Sequence, residues 1–114
     1  MPSRPPAKSY PKRGEVYVAQ LDKPRPVVIL SVDSLNKFVL DVCVVPVTSI
    51  QHGEFSVRVP ITARDGGLDR NCWAKCDQVT TLEKSYLRYP ALGTLSAPTF
   101  QAIEGAVKIA LGLM

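Results

Sequence analysis

Two stretches decide the fold: Gln20-Leu-Asp-Lys-Pro-Arg-Pro-Val-Val-Ile-Leu-Ser31 and Leu40-Asp-Val-Cys-Val-Val-Pro-Val-Thr-Ser49. Each joins a β-branched, aliphatic run, the composition of a strand, to a short polar end. The unbroken Val27-Val-Ile-Leu30 predicts a strand apolar on both faces or nearly so. Pro26 suits a strand's first residue, and Pro46 predicts an edge or a bulge. If the two runs pair antiparallel, Arg25 before the first and Thr48 after the second become neighbours at one sheet edge. They are 23 residues apart in sequence. An arginine and a hydroxyl held on a stiff scaffold form an oxyanion or phosphate site. Spacing alone favours a blander pair, a surface arginine at a strand start and a turn-forming hydroxyl.

Working outward, Gly14–Gln20 predicts a first strand and Leu21–Pro24 a tight turn. Pro26–Val32 is the second strand, Asp33–Lys37 a polar loop, and Phe38–Val47 the third strand. Thr48–Glu54 is a polar loop with His52. Phe55–Val59 alternates cleanly, with Arg58 on its outer face. Thr62–Asn71 is a loop around Gly66 and Gly67. Cys72–Val79 is a strand carrying Trp73, Thr80–Tyr89 is irregular with a helical turn at Glu83–Tyr86, and Ala91–Leu95 is a short strand. Ser96 reads as an N-cap and Pro98 as a first-turn residue. The helix that follows carries an apolar stripe of Phe100, Ile103, Val107 and Leu111, with Ala106 and Ala110. Gly105 suggests a close backbone approach. The expected class is mainly β with α (α+β): a small antiparallel sheet or partly closed barrel covered by a C-terminal helix.

At 114 residues the chain fits one domain. Residues 1–12 read as a flexible, basic, proline-rich tail, and residues 13–114 as the folded domain. A net charge of +4 favours an anionic partner. No apolar stretch precedes Gly14, and no run approaches the ~18 residues of a membrane span. A soluble, cytoplasmic protein without membrane partners is expected. Cys43 reads as a small buried hydrophobe, and Cys72 and Cys76, on one face of a strand, as packed or half-exposed thiols. Zinc would need two further ligands where His52 is the one histidine, so neither a metal site nor a cofactor is expected. The carboxylates are scattered, and no nucleophile elbow or phosphate-cradling glycine loop occurs. What remains is Arg25 with Thr48, supported by Lys23, Ser31, Ser49, Gln51, Lys75 and Gln78. Trp73, Tyr17 and Phe38 could stack bases, although their apolar neighbours favour core packing.

Five motifs then carry a resemblance: Arg13-Gly-Glu-Val-Tyr17; Arg25-Pro-Val-Val-Ile-Leu-Ser31; Val45-Pro-Val-Thr-Ser49; Asp77-Gln-Val-Thr-Thr81 with Lys84-Ser85; and Leu92-Gly-Thr-Leu-Ser96. In this order, and over nearly the whole chain after residue 12, the sequence resembles the MazF/PemK toxins of bacterial type II toxin–antitoxin pairs. That resemblance implies an SH3-like barrel core and a homodimer. It implies metal-independent, sequence-specific cleavage of single-stranded RNA, giving a 2′,3′-cyclic phosphate and a 5′-hydroxyl, and growth arrest through loss of translation. The family's catalytic arginine and threonine fall on Arg25 and Thr48, and its RNA contacts on Ser49, Gln51, Asp77 and Gln78; Lys23, beside Arg25, is a further RNA-binding candidate. A cognate antitoxin would lay an acidic segment across the RNA groove. The short Leu21–Pro24 turn places the chain with the short-loop members, so the base preference of long-loop relatives does not transfer. Thr80 stands where many relatives carry a basic residue. The alternative from another class is a non-enzymatic toxin of the related CcdB type, or an SH3-like binding module, acting on a protein partner.

Overall fold

The computed structural model describes residues 10–50 and 57–113. Along them run β1 (Glu15–Gln20), β2 (Pro24–Ile29), α1 (Asp33–Phe38), β3 (Asp41–Thr48), β4 (Arg58–Ile61), β5 (Cys72–Lys75), β6 (Thr80–Glu83), β7 (Leu87–Thr94) and α2 (Ala97–Leu111). Short 3₁₀ turns lie at Asp65–Gly67 and Lys84–Tyr86. Every ladder is antiparallel. The strand order is β4-β5-β3-β2-β1-β7, with β6 also paired to β3. β4 and β7 end the ladder, so the sheet is open where a partly closed barrel was the other expectation. The α+β class is the one expected.

The sheet is apolar on both faces, which explains the continuous Val27-Val-Ile run. Val28, Val16, Val45 and Val47 face α2, where Ile103, Ala106 and Val107 complete one layer with Ile61, Cys72, Ala74 and Cys76. Tyr17, Ala19, Val27, Ile29, Val42, Val44, Leu82 and Leu87 form a second layer on the opposite face. Alternate residues of one strand therefore serve two different cores. Burying the Ile29 side chain alone is worth about 2 kcal/mol.

Several sequence expectations change. Asp33–Phe38 is a short helix rather than a loop, so β3 begins at Asp41 instead of Phe38. Six residues are too few to show helical periodicity. Its organiser is Asn36, fully buried, which donates to the Ser31 carbonyl at 2.9 Å and receives the Ser31 hydroxyl at 2.5 Å. Phe38, expected in a strand, is 79% exposed. β5 ends at Lys75, and Thr80–Glu83, expected to be irregular, is a strand paired with Asp41–Val44. β7 begins four residues before the expected Ala91. Cys43 is half-buried rather than fully buried. Gly105 meets no close neighbour, so no backbone approach explains it. Leu111 is exposed at the end of its stripe. Ser96 does occupy the N-cap position, but its hydroxyl bonds to the Asp65 carboxylate and the Thr99 hydroxyl rather than to a backbone N–H of its own helix. The beginning of the expected Phe55–Val59 strand lies outside the described residues.

Candidate active site

The site begins with two missing backbone donors. In β2 the Leu30 N–H reaches the Cys43 carbonyl, while the Ile29 carbonyl is turned the other way, to Gly14. Even-numbered residues of this strand therefore present their backbone groups to β3. Pro26 and Pro24 occupy the next even positions and have no N–H to give. The β2–β3 ladder accordingly stops at Val27↔Pro46, although both strands continue. Pro46 has a matching role: β3 pairs with β6 through Val44 and with β5 from Val47, and the proline sits between the two partners.

Where the strands part, a cleft of about 340 Å³ opens. It is lined by Pro24, Arg25, Pro26 and, across it, Val47, Thr48, Ser49 and Ile50; Leu68, Asp69, Arg70 and Cys72 close the end. Extending the ladder register by two residues sets Arg25 opposite Thr48, on the same sheet face. Arg25 is exposed and Thr48 half-buried. The Thr48 oxygen accepts the Ile50 N–H at 3.1 Å. One lone pair is thus committed, the side chain is held in place, and among the described residues its own proton is left to donate. The two walls are rigid for different reasons. β2 stays paired to β1 as far as Gln20↔Pro24, and β3 is held by β5 at Thr48↔Trp73.

The third wall comes from the loop before β5. Gly66 and Gly67 adopt positive φ. A Cβ on Gly67 would stand 2.1 Å from the Leu92 carbonyl oxygen, so the loop packs against β7 only as glycine. Asp65 fastens the same turn to α2, accepting the Ser96 N–H at 2.8 Å and the Thr99 hydroxyl at 2.7 Å. This presses Leu68–Arg70 against the open end of the sheet. Arg70 and Asp69 were not singled out from sequence; the Gly66-Gly67 pair was the one signal that this loop makes a close approach. Asp69 and Arg70 lie 3.5 Å apart, both exposed. Burial, with Asp69 adding to it, pushes the Cys72 thiol up, and its Sγ–H donates to the Arg70 carbonyl. Cys76 is pushed up to about 11 by burial, then by Asp77. Neither thiol is a ready nucleophile at neutral pH. Both are buried, as packed thiols should be.

Of the sequence candidates, the structure brings Arg25, Thr48 and Ser49 to one cleft. Lys23 is exposed in the neighbouring β1–β2 turn, its backbone N–H bonded to Asp22. Asp77 and Gln78 are exposed in the β5–β6 turn, at the opposite end of β5 from Cys72, and line no part of the cleft. Ser31 is committed to Asn36 and Cys43. Lys75 faces the same side of β5 as Trp73. Gln51 and His52 lie outside the described residues. Among the described residues no three metal-ligating side chains converge.

Residues 12–111 match the family of the PemK-like, MazF-like toxin of type II toxin-antitoxin systems. The chain belongs to this family. It is 32% identical over 111 residues to "Endoribonuclease MazF" of Staphylococcus saprophyticus, an alignment covering 90% of this chain and 92% of the relative. Among solved structures, the "Mycobacterium tuberculosis toxin MazF-mt6" superposes with a TM-score of 0.77 at 31% identity, over 86% of this chain and 96% of that one. A mycobacterial endoribonuclease in complex with its cognate antitoxin gives 0.81 at 30% identity, over 91% and 97%. The toxin fold, an antiparallel sheet with a C-terminal helix, is thus shared nearly end to end.

Proposed function

We propose that this chain is the toxin of a toxin–antitoxin pair and cuts single-stranded RNA in the cleft between Arg25 and Thr48. The observation that carries the reading is the convergence of a guanidinium and an oriented hydroxyl on one rigid, open gap in the sheet. The family and the endoribonuclease relative supply the reaction class.

RNA carries its own nucleophile, so the protein need not provide one. The 2′-oxygen attacks the adjacent phosphorus and loses its proton to solvent. The P–O5′ bond breaks, the 5′-oxygen takes a proton from water, and a 2′,3′-cyclic phosphate remains. The protein must align these atoms and stabilise the crowded, doubly charged phosphorane. Arg25 presents a planar fork of donors that can hold two non-bridging oxygens. A guanidinium is a donor only, so it acts through charge and geometry rather than as a base. Thr48 donates its free hydroxyl proton to the same phosphate. In-line attack needs a splayed backbone, which favours single strands over duplex.

We further propose that the toxin works in the cytoplasm as a homodimer. A cognate antitoxin covers the cleft with an acidic segment, as the net charge of +4 would favour. Arg25→Ala and Thr48→Ala should each lower cleavage of a mixed-sequence RNA on the order of 10²–10³-fold, the usual effect of losing one such donor. End-group analysis should find cyclic phosphate and 5′-hydroxyl. Full activity in both variants, or 5′-phosphate products, would overturn the mechanism.

A further inference from the structure

We infer that Trp73, with Lys75 and Arg58 in the next row of the same sheet face, is a nucleotide platform that holds the RNA flanking the cut. The inference rests on the RNA-cleaving reading above and adds residues which that reading does not use.

The registers fix the layout. Thr48 pairs with Trp73, and Trp73 with Pro60, so the three form one row across β3, β5 and β4. Arg58 pairs with Lys75 two residues along, on the same face. The neighbours Cys72, Ala74 and Cys76 point the other way, into the α2 layer. Trp73 itself is half-buried and belongs to neither apolar layer. An indole that packs in neither layer among the described residues and stands directly across a ladder from Thr48 offers a flat, rigid face beside the scissile phosphate. Bases of any identity stack on such a face.

The cations beside it supply a second, independent observation. Lys75 and Arg58 are like charges directly opposite in an antiparallel pair, an arrangement that destabilises a sheet unless an anion lies between them. Among the described residues neither forms an ion pair, and the buried Nη1 of Arg58 has no hydrogen-bond partner. A phosphate lying over the pair offsets the repulsion between the two cations. Ideal sheet spacing puts Lys75 and Arg58 about 8 and 12 Å from Thr48, measured between Cα positions. The RNA path therefore runs from the Arg25–Thr48 cleft over Trp73 to the Lys75–Arg58 pair.

Trp73 is the chain's single tryptophan, so its emission reports on this position alone. The probe is a mixed-sequence 2′-O-methyl RNA 12-mer, which cannot be cut through its 2′-oxygen. Titrating it into the wild-type protein should quench the emission saturably. Anisotropy of a 5′-fluorescein label should show Trp73→Ala binding about 5- to 150-fold more weakly, while Trp73→Phe, which keeps an aromatic face, recovers most of the loss. Arg58→Gln and Lys75→Gln should each flatten the plot of log K against log salt by about 0.7. If the protein cuts RNA and binds the 12-mer with unchanged emission and undiminished affinity in Trp73→Ala, the platform is overturned and the nuclease reading stands. Quenching by a protein that cuts no RNA supports the platform and overturns the catalytic reading. A protein that neither binds nor cuts overturns both.

Discussion

Removing the Asp65 carboxylate should loosen the third wall of the cleft, and the size of the effect follows from its bonds. It accepts the Ser96 N–H at 2.8 Å, the Ser96 hydroxyl at 2.9 Å and the Thr99 hydroxyl at 2.7 Å. It also places a negative charge at the N-terminus of α2, where the helix dipole favours one. A hydrogen bond nets about 1 kcal/mol, and somewhat more with an ionised partner. The site is half-buried and its bonds share one anchor, so a low total applies: Asp65→Ala should lose about 2–3 kcal/mol. The acid dependence has a definite sign. Burial pushes this carboxyl up, but hydrogen bonds from Thr99 and Ser96 outweigh burial and hold it below its ordinary 3.8. A depressed folded-state value means stability that is present above the unfolded value and lost as pH falls through the folded one. Urea unfolding of the wild type and Asp65→Asn at stepped pH should show a constant gap above about pH 5 that narrows below pH 4. A gap under about 0.5 kcal/mol at pH 7, or one as wide at pH 3 as at pH 7, would refute the assignment. Because the same turn carries Leu68–Arg70, the KM for RNA should rise with the loss of stability.

Gly67→Ala should destabilise by about 3 kcal/mol or more, adding a left-handed φ to a Cβ that meets the Leu92 carbonyl; near-wild-type urea unfolding would contradict the close approach. Cys76, pushed up to about 11, should be about one-thousandth thiolate at pH 8 and resist alkylation until the chain unfolds; fast native labelling, located by mass spectrometry, would place it outside the core. Pro26→Val returns an N–H facing β3. It should cut RNA cleavage at least about tenfold while stability moves by less than about 1 kcal/mol, the new bond offsetting the freer unfolded chain. Unchanged cleavage would detach the cleft from the proline. One 2′-deoxy nucleotide at the cut site should abolish cleavage there and leave other sites intact, as read on a sequencing gel.

Much of this was legible because the relevant signals are local. The β-branched runs marked β2 and β3, and the assumption of antiparallel pairing was enough to bring Arg25 and Thr48 together, since a register propagates along a ladder without further information. The α2 stripe and its Ser96–Pro98 start were equally plain. What was not legible depends on contacts distant in sequence. The short helix α1 owes its form to Asn36, whose burial follows from the meeting of Ser31 after β2, Lys84 in the 3₁₀ turn after β6 and Cys43 in β3. β6 contains four residues, Thr-Thr-Leu-Glu, with one buried, and only its pairing with β3 makes it a strand. Arg70 and Asp69 enter the cleft through a loop that glycines fold back on β7. Asp77 and Gln78, which match a family motif, stand in the β5–β6 turn at the far end of β5 from the cleft.

The position of the site also has a physical reason. A continuous sheet has no room for a phosphate between adjacent strands, since ladder spacing is about 4.8 Å and every facing backbone group is used. A gap normally means unpaired donors and loose strands. Here Pro24 and Pro26 delete the donors themselves, so the sheet opens on that side without leaving those amides unsatisfied. The strand is still held by β1 through its other edge, and β3 is held across the gap by β5. The opening is therefore a permanent feature with stiff walls, and Arg25 lies between the two prolines that make it. An arginine on a mobile loop would spend part of its interaction with a phosphorane on becoming ordered. Here the backbone of Arg25 is fixed in a paired strand before substrate arrives, which favours electrostatic stabilisation falling on the transition state. The same pairing that stiffens the far wall sets Trp73 across from Thr48. The proposed catalytic pair and Trp73 thus fall in a single row of one sheet, with Lys75 and Arg58 in the next.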